Sequence, residues 1–491
     1  MLADNDLLSM QQARILAENA ASAQKLLAEY SQEKLDGIAW HVAEALAGHA
    51  CELAGLEWEE TGYGNARDKE MKNRFACLGV GRALKGLKCV GVLRQDDAGN
   101  ILEVGVPRGP VAALCSSLNA VSGLASAALV AIKSGNAIVF ALHPRAARVM
   151  RKTADLIAEA GAAAGLPENA VSCLSVPAKR GALELMSHPA IRLVLNSGVD
   201  RMLDLCRQSG KPVIYGGTGN GPAFIERTAD IEKAAEDIIA SKMFDCGISP
   251  SAEQCVVVDS PVEAEAREAF RRRGAYFMSE QEATALAALL FQADGRHRRD
   301  LVGVDASAIA RRAGFDAHGA TVLVADRRFV SETDSYNREL LAPILPWYVE
   351  DDWRHACEKC IELLLYDRSG HSLSIHSRDS DVIRQFALKK PVARMLVNAP
   401  ACFAGMGATS NLFPAVTLGS SFGLGIASDN LSPFNLVYIR RIGYARRSVE
   451  AFAGEMAGGS CDCAATEPIP DEFEELRRSL AEAIRRIYAQ N

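Results

Sequence analysis

The sequence predicts an α/β protein whose parallel sheets are covered by helices on both faces. Short β-rich segments alternate with helical segments from about residue 111, and the alternation resumes after about residue 250. Such alternation favours parallel strands joined by crossover helices. At 491 residues the chain is also too long for one ordinary core. We therefore expect two α/β domains or slightly more.

The first stretch supplies candidate elements in order. Apolar residues recur at spacings of three and four residues in the first fifty residues, which include Ala13-Arg14-Ile15-Leu16. This part is therefore expected to form helices on a domain surface. The predicted strands are 111–115, 137–141, 193–196, 213–215 and 223–226, and the predicted helices are 119–134, 144–164, 199–209 and 230–243.

The second stretch has predicted strands near 255–258, 321–325, 373–376 and 395–397. Between Met395 and Ser428 the chain carries no charged residue, although Gly, Ser, Pro and Asn are frequent. Irregular backbone of this neutrality is expected to line a buried cavity.

Composition excludes several classes of function. Apolar residues make up 49% of the chain, which is typical of a globular protein, and the net charge of −7 comes without a basic block for nucleic acid. The acidic start Met1-Leu2-Ala3-Asp4 does not resemble a signal peptide. The uncharged segment from Gly109 to Ile132 contains Pro110 and several polar residues, so it is expected to form a strand, a turn and a helix, not a membrane span.

The cysteines indicate a reducing compartment. Thirteen are scattered along the chain without framework spacing, which favours a cytoplasmic protein. Cys357-x-x-Cys360 lies in a predicted helix and has no second ligand pair at zinc-like spacing, so two buried side chains are expected there and no metal site.

The C-terminal part changes character. Residues 457–470 are predicted to be a linker, and Phe473, Leu476, Leu480, Ile484 and Ile487 then fall at helical spacing. The predicted amphipathic helix docks either on another protein or back on its own domain.

Several ordered segments resemble the CoA-acylating branch of the aldehyde dehydrogenase family, from about residue 60 to about 440. The segments are Phe244-Asp245-Cys246-Gly247 to Glu253-Gln254, Ser134-Gly135-Asn136-Ala137-Ile138-Val139-Phe140 with His143-Pro144-Arg145-Ala146, Ser209-Gly210-Lys211-Pro212 to Gly217-Thr218-Gly219-Asn220, Glu339-Leu340-Leu341-Ala342-Pro343, and Thr417-Leu418-Gly419.

The resemblance implies an aldehyde dehydrogenase-like fold of two doubly wound parallel-sheet domains and an oligomerisation flap. It implies a nucleotide-binding domain at 1–240, with part of the flap near 90–110, a catalytic domain at 241–430, a return to the flap at 431–450, and the linker and helix at 455–491. It also implies a homodimer or homotetramer that interconverts an aldehyde and its acyl-CoA with NAD or NADP and coenzyme A. The C-terminal helix resembles tags that carry such enzymes into bacterial microcompartments.

The nucleophile loop departs from the family. Aligned without a gap, Pro250 takes the position of the reactive thiol, and Cys246 lies four residues earlier. Four residues span roughly 13 Å when extended, so Cys246 can act only if the loop is rebuilt. Cys402, in the neutral segment, is a more distant alternative, whereas Cys255 begins a predicted strand and is expected to be buried packing, and Ser249 and Ser251 would need an adjacent base.

Other site residues follow from the resemblance. Asn119 matches the oxyanion asparagine, although it also fits a helix cap. Tyr215-Gly216-Gly217 lacks the carboxylate with which hydrolytic relatives activate water. Its absence favours transfer of the acyl group from a thioester to a thiol such as coenzyme A.

The cofactor residues match by position. Asn196-Ser197-Gly198 precedes a predicted helix and matches the phosphate-binding turn, and Gly217 belongs to a weak glycine fingerprint. Glu339 resembles the ribose-binding glutamate, with an ordinary surface charge as the alternative. His143 and Arg145 are candidates for nucleotide or CoA phosphates, although Pro144 equally fits a helix start.

Two hypotheses therefore remain. The first is an NAD(P)-dependent CoA-acylating aldehyde dehydrogenase that uses Cys246. The second is a catalytically impaired paralogue that binds nucleotide or assembles with an active relative.

Overall fold

The computed structural model describes residues 4–95, 101–366, 370–420, 425–445 and 447–457, together with residues 478, 479 and 482. These fall into two compact units. The first takes its residues from Met1–Leu93 and Glu103–Arg440, and the second from Arg94–Leu102 and Arg441–Asn491. The predicted C-terminal helix lies outside the described residues, apart from isolated positions.

The described residues form helices and strands in the following order. The helices are α1 Asn5–Leu27, α2 Gln32–Gly48, α3 Ala50–Thr61, α4 Ala66–Arg74, α5 Val80–Leu84, α6 Ala120–Lys133, α7 Ala147–Ala163, α8 Lys179–Ser187, α9 Leu203–Gln208, α10 Ile231–Met243, α11 Glu263–Arg272, α12 Glu280–Leu290, α13 Ala306–Ala313, α14 Trp353–Tyr366, α15 Ser380–Lys389, α16 Ala401–Gly405 and α17 Val449–Ala457. The strands are β1 Gly91–Gln95, β2 Ile101–Pro107, β3 Val111–Cys115, β4 Ile138–Ala141, β5 Val171–Cys173, β6 Leu193–Ser197, β7 Val213–Gly216, β8 Pro222–Ile225, β9 Cys255–Asp259, β10 Ala275–Phe277, β11 Val322–Asp326, β12 Ile344–Glu350, β13 Ser372–His376, β14 Arg394–Val397 and β15 Val437–Gly443.

The first sheet has the order β5-β4-β3-β6-β7 with parallel pairing throughout. Its central strands are buried because apolar side chains cover both faces: every residue of β3 and of β4 is buried. The strand order reverses direction between β3 and β6. In a doubly wound sheet, that reversal leaves a crevice at the carboxyl ends of the two strands.

The second sheet has the order β10-β11-β12-β9-β8-β13-β14 and is also parallel in every described pair. The doubly wound α/β prediction is therefore confirmed. The strand predicted at 223–226 was grouped with the first sheet, but β8 lies in the second, between β9 and β13. Local sequence gives the strand but not its hydrogen-bonding partners.

A third sheet joins three strands in the order β1-β2-β15. These strands fall in the segments for which the resemblance implies the flap, although the oligomeric role stays a prediction. The predicted strand, turn and helix at 109–132 are present as β3 and α6. Among the described residues, no helix is both long and apolar enough to cross a membrane.

The helices α1 to α4 carry no strand between them. Small residues on the buried face of α1, among them Ala13, Ala17 and Ala20, allow α8 to pack closely, and a Cβ at Gly181 would lie 1.8 Å from Ser9 Oγ. α4 ends in a π-helical turn, Phe75–Gly79. This helical layer also supplies residues to the cavity.

Candidate active site

A cavity lies where the strand order of the first sheet reverses. Ser116 follows β3. Ser197 ends β6 and Gly198 follows it, and Gly216 ends β7 and Gly217 follows it. The remaining lining residues come from other segments: Lys72, Leu118, Asn119, Thr218, Ser249, Pro250, Ser251, Glu339, His371, Met406, Val416, Thr417 and Leu418. The neutral segment after Met395 contributes the last four, which confirms its predicted place beside a cavity.

The structure brings five of the predicted site residues to this cavity. They are Asn119, Ser197, Gly198, Gly217 and Glu339. The other four predicted residues, Cys246, His143, Arg145 and Asn196, are not among the lining residues.

Asn119 immediately precedes α6, but its side chain makes no capping hydrogen bond. Its Oδ1 instead accepts a hydrogen bond of 2.7 Å from the Lys72 ammonium. The helix start is satisfied by Glu57, whose carboxylate oxygens accept from the backbone N–H groups of Ala120 at 3.2 Å and Val121 at 3.4 Å. The interpretation of Asn119 as a simple cap is therefore wrong.

The loop that resembles the nucleophile loop brings Pro250 to the cavity. Two consecutive residues, Asp245 and Cys246, have the left-handed φ values 49° and 53°. The loop packs tightly, because a Cβ at Gly219 would lie 1.5 Å from the Pro250 carbonyl oxygen. Glycine at 219 is thus required by this backbone contact.

Cys246 is half-buried. Burial raises the pKa of its thiol to about 11, and the neighbouring Asp245 carboxylate acts in the same direction. A thiol of such a pKa is a weak nucleophile at neutral pH.

Cys402, in α16, is fully buried beside the same loop. Ser251 Oγ donates to the Cys402 carbonyl oxygen at 3.4 Å, and the hydroxyls of Ser249 and Ser251 lie 3.1 Å apart. Burial raises the pKa of Cys402 to about 12, although a hydrogen bond to Ser249 opposes the shift. Cys402 therefore lies directly behind two lining serines.

The turn after β6 is held from both sides. Asn196 accepts from Val199 N at 2.8 Å and donates to Val199 O at 3.0 Å, so its side chain shapes the turn. Ser197 Oγ lies 2.8 Å from Thr417 Oγ1. The predicted helix at 199–209 begins with a 3₁₀ turn, and α9 starts only at Leu203. The predicted helix is therefore present from Asp200, but its first turn is 3₁₀ and not α-helical.

Glu339 is only 5% exposed, so its interpretation as an ordinary surface charge is wrong. Its Oε1 accepts a hydrogen bond of 2.9 Å from Gly219 N. Glu339 therefore links the cavity to the connection between β7 and β8, in which Gly219 also lies against Pro250.

Comparisons with known proteins agree with this arrangement. The family model described as "Aldehyde dehydrogenase family" matches residues 2–302. The chain belongs to the aldehyde dehydrogenase family. Its structure is similar to that of a probable aldehyde dehydrogenase from Listeria monocytogenes EGD-e, with 41% identity, a TM-score of 0.89, and coverage of 92% of this chain and 100% of that chain.

Two curated relatives show the range of lengths in this aldehyde dehydrogenase branch. An aldehyde-alcohol dehydrogenase of Streptococcus pneumoniae serotype 4 is 33% identical over 83% of this chain but only 47% of the relative. The acetylating succinate-semialdehyde dehydrogenase of Clostridium kluyveri is 30% identical over 89% of this chain and 96% of the relative. The chain thus spans about half the length of the first curated relatives that it matches.

In this member of the aldehyde dehydrogenase family, His143 and Arg145 flank Pro144 at the start of a 3₁₀ turn. His143 Nδ1 accepts from Arg145 N at 3.2 Å, and the Arg145 guanidinium lies 5.2 Å from the Tyr63 ring centroid. The helix-start role of Pro144 is confirmed. The phosphate-binding role of His143 and Arg145 stays a prediction.

Sequence reasoning missed two lining residues of the aldehyde dehydrogenase cavity, Lys72 and His371. His371 precedes β13, is 2% exposed, and places Nδ1 2.8 Å from Ser372 Oγ. Burial, and next the charge of Arg394, hold the pKa of His371 well below its ordinary value, so the imidazole is neutral at pH 7. The sequence held one indication of His371: it stands between Gly370 and Ser372, at the start of a strand.

The Cys357-x-x-Cys360 pair lies on α14, and both side chains are buried. Lys390 Nζ donates to the Cys357 carbonyl oxygen at 3.0 Å. The predicted packing role is confirmed. Within the described part of the chain, no group of three or more His, Cys, Asp or Glu is placed to hold a metal ion.

Proposed function

We propose that the protein is an NAD(P)-dependent CoA-acylating aldehyde dehydrogenase that interconverts a small aldehyde and its acyl-CoA. The observation that carries the proposal is the convergence of Asn119, the Ser197–Gly198 turn and Glu339 on one cavity at the reversal of the strand order. The acetylating relative from Clostridium kluyveri, which matches nearly end to end, supports the same class of reaction.

The glycine-lined wall of the cavity is the proposed contact for a dinucleotide. Gly198 has a φ of 79°, which glycine adopts readily, and a Cβ at Gly216 would lie 3.1 Å from Thr417 Cγ2. Ser197, Gly198, Gly217 and Glu339 would hold NAD or NADP there, with His143 and Arg145 as further proposed phosphate contacts. When bound, the nicotinamide supplies a hydride acceptor.

The residues of the chain then act on the aldehyde. A thiolate adds to the carbonyl carbon, and the charge that develops on the oxygen needs fixed donors, of which the Asn119 amide is one. After hydride loss a thioester remains on the protein. Glu339 supplies the carboxylate among the lining residues, and it already accepts a hydrogen bond from Gly219 N. Glu226 is not among the lining residues, and its carboxylate accepts a hydrogen bond of 2.9 Å from Ser377 Oγ.

Because the lining carboxylate, Glu339, is proposed to bind the ribose and not to activate water, the acyl group of the thioester is transferred to the sulfur of coenzyme A. His371, whose imidazole is neutral, is proposed to take the proton from the CoA thiol as it attacks and to pass it to the protein thiolate that leaves. Acyl-CoA and NAD(P)H are then the products, and the reverse sequence reduces an acyl-CoA.

The identity of the thiol is tested by variants. Cys246 is the proposed nucleophile and needs the loop to rebuild, while Cys402 is the competing thiol behind Ser249. Acyl-CoA-dependent oxidation of NADH and NADPH would be measured for the wild type, Cys246→Ala and Cys402→Ala. Loss of turnover in one variant alone identifies the nucleophile, and unchanged turnover in both contradicts a cysteine at either position.

A second candidate function is nucleotide binding without turnover. It is favoured by Pro250, which stands at the cavity in the place of the family's thiol; among the lining residues of the described part there is no cysteine. Calorimetric titration with NADH and CoA separates the two functions. Binding of NADH with no turnover, together with a gain of turnover in Pro250→Cys, would support this second function.

Assembly and location are proposed from the sequence. A homodimer or homotetramer is expected through the flap strands, and sedimentation velocity would measure it. A location in the cytoplasm is proposed from the scattered cysteines, and a location within a bacterial microcompartment is a separate proposal that rests on the predicted C-terminal helix. A chain lacking residues 458–491 that still co-assembled with shell proteins would contradict the targeting role.

A further inference from the structure

Beneath Asn119 lies a buried cluster of four charged side chains that the proposed reaction does not itself use. Lys69, Lys72 and Asp245 are 0%, 4% and 0% exposed, and Glu57 is 1% exposed. Two cations and two anions balance one another, so the cluster is neutral. An unpaired charge at this depth would be strongly destabilising.

Lys72 has an acceptor for each of its three N–H groups. Its ammonium donates to Asn119 Oδ1 at 2.7 Å and to the Leu118 carbonyl oxygen at 3.2 Å, and it forms an ion pair with Asp245. Three acceptors around one ammonium fix its position. Because Oδ1 of the planar Asn119 amide faces Lys72, the two N–H groups of the amide are directed away from Lys72.

Asp245 is in turn held in place from several sides. Its carboxylate accepts from Lys69 Nζ at 3.2 Å and from Asn65 N at 2.9 Å, and its own N–H donates to Asp68 at 2.8 Å. The charges of Lys72 and Lys69 hold the pKa of Asp245 below its usual value, although burial opposes them. A Cβ at Gly64 would lie 1.7 Å from Asp245 Oδ1, so the chain leaves room for this carboxylate.

We infer that Lys72 is a positioning residue for Asn119: anchored by Asp245 of the Pro250 loop, it turns the Asn119 amide so that its N–H groups meet a substrate carbonyl oxygen in the cavity. This inference deepens the proposed function and rests on it for the identity of the substrate carbonyl. It also assigns the unusual loop a second role, since Asp245 belongs to the same turn as Cys246.

The test uses a chromophoric aldehyde, 4-dimethylaminocinnamaldehyde, whose absorption moves to longer wavelength when its carbonyl oxygen accepts hydrogen bonds. The wild type is expected to shift the absorption of the bound aldehyde, and Asn119→Ala to abolish the shift. Lys72→Ala should lose at least half of the shift and lower kcat about tenfold or more with a smaller change in KM.

Chemical rescue separates positioning from general stability. Lys72 lines the cavity, so methylammonium can enter the space that Lys72→Ala leaves, and it is expected to restore the shift in that variant but not in Asn119→Ala. Lys133→Ala is the matched control. Lys133 is equally buried and pairs with Asp36 at the far end of α6, but it is not among the lining residues and touches neither Asp245 nor Asn119, so its variant should keep the shift and gain nothing from methylammonium.

Three outcomes would overturn the inference: a full shift in Lys72→Ala, a folded Lys72→Ala whose lost shift methylammonium does not restore, or a wild type that binds the aldehyde without a shift. If Lys72→Ala does not fold, the double variant Lys72→Met, Asp245→Asn removes both buried charges and is judged by its shift in the same way. Acyl-CoA-dependent NADH oxidation is measured in parallel. A wild type with the shift but no turnover contradicts the proposed function and supports the inference.

Discussion

The turn after β6 and the loop at residues 244–251 face the same cavity, but they depend on different kinds of contact. Asn196 holds its turn through Val199, three residues away. The loop is held by Gly219 against Pro250 and by Lys72 against Asp245, both distant along the chain. The comparison shows that the turn on the proposed cofactor side is shaped by a local contact as well as by the distant Ser197–Thr417 contact, whereas the loop on the proposed thiol side depends on tertiary contacts.

The largest effect is expected from Pro250→Cys. This substitution places a thiol at the cavity, whereas burial raises the pKa of Cys246 to about 11 and that of Cys402 to about 12. At neutral pH their thiolate fraction is below about one in a thousand. Alkylation by iodoacetamide, followed by peptide mass spectrometry, should therefore be about 100-fold faster or more at position 250.

Cys246→Ala in the Pro250→Cys background removes the competing thiol and serves as the control. Equal alkylation rates for the thiol introduced at position 250 and for native Cys246 would contradict the difference drawn between the two thiol positions.

Gly219→Ala should displace the loop at residues 244–251, on the proposed thiol side of the cavity, without disturbing the turn after β6. The new Cβ would lie 1.5 Å from the Pro250 carbonyl oxygen, so the loop must move. We expect a loss of about 3 kcal/mol in the free energy of unfolding by urea denaturation. Gly37→Ala is the control: no atom lies within 4 Å of its added Cβ in α2, and it should stabilise by about 0.5–1 kcal/mol.

Glu253→Gln tests the ionisation of the Glu253 carboxyl group, which follows the loop at residues 244–251. Burial raises the pKa of Glu253 from 4.5 to about 7, so the folded state binds a proton that the unfolded state releases between these values. Wild-type stability should therefore be retained below about pH 4.5 and lost, by up to about 3 kcal/mol, as the pH rises through about 7.

The glutamine variant keeps an acceptor for Ala401 N but cannot ionise, so its stability should lack this fall. Urea denaturation from pH 5 to pH 8 measures the difference between the two proteins. Parallel curves would mean that Glu253 does not titrate in this range.

The smallest effect is expected on the cofactor side. Glu339→Gln preserves an oxygen acceptor for Gly219 N but removes the charge proposed to bind the ribose. The KM for NADH, or its dissociation constant if turnover is absent, should rise about tenfold. The exposed Glu358→Gln is the control and should change neither value.

The sequence predicted most of the fold because its strands are short apolar segments and its helices have clear periodicity. The strand at 111–115 and the helix at 119–134 appear as β3 and α6 almost residue for residue. The sheet of β8 was predicted wrongly, since pairing with β9 and β13 is a contact across the chain.

The candidate site was only partly predictable. Asn119 and Glu339 were found because they match positions in segments that resemble the family, but the position of Cys246 depends on two left-handed residues that a sequence pattern does not reveal. Lys72 was missed because a lysine in a polar helix normally faces solvent, and here it is 4% exposed.

The capping of α6 by Glu57 has a consequence for how the protein tolerates changes in chain length. Glu57, Lys69 and Lys72 all come from α3 and α4, ahead of the first strand. A shortened chain beginning after residue 75 would retain every strand described here, yet it would leave Asn119 without its support. An insertion at the exposed Lys85 and Gly86, ahead of the buried Cys89, should be harmless by comparison, whereas a one-residue deletion in α4 ahead of Lys69 would rotate both lysines out of register with the cavity.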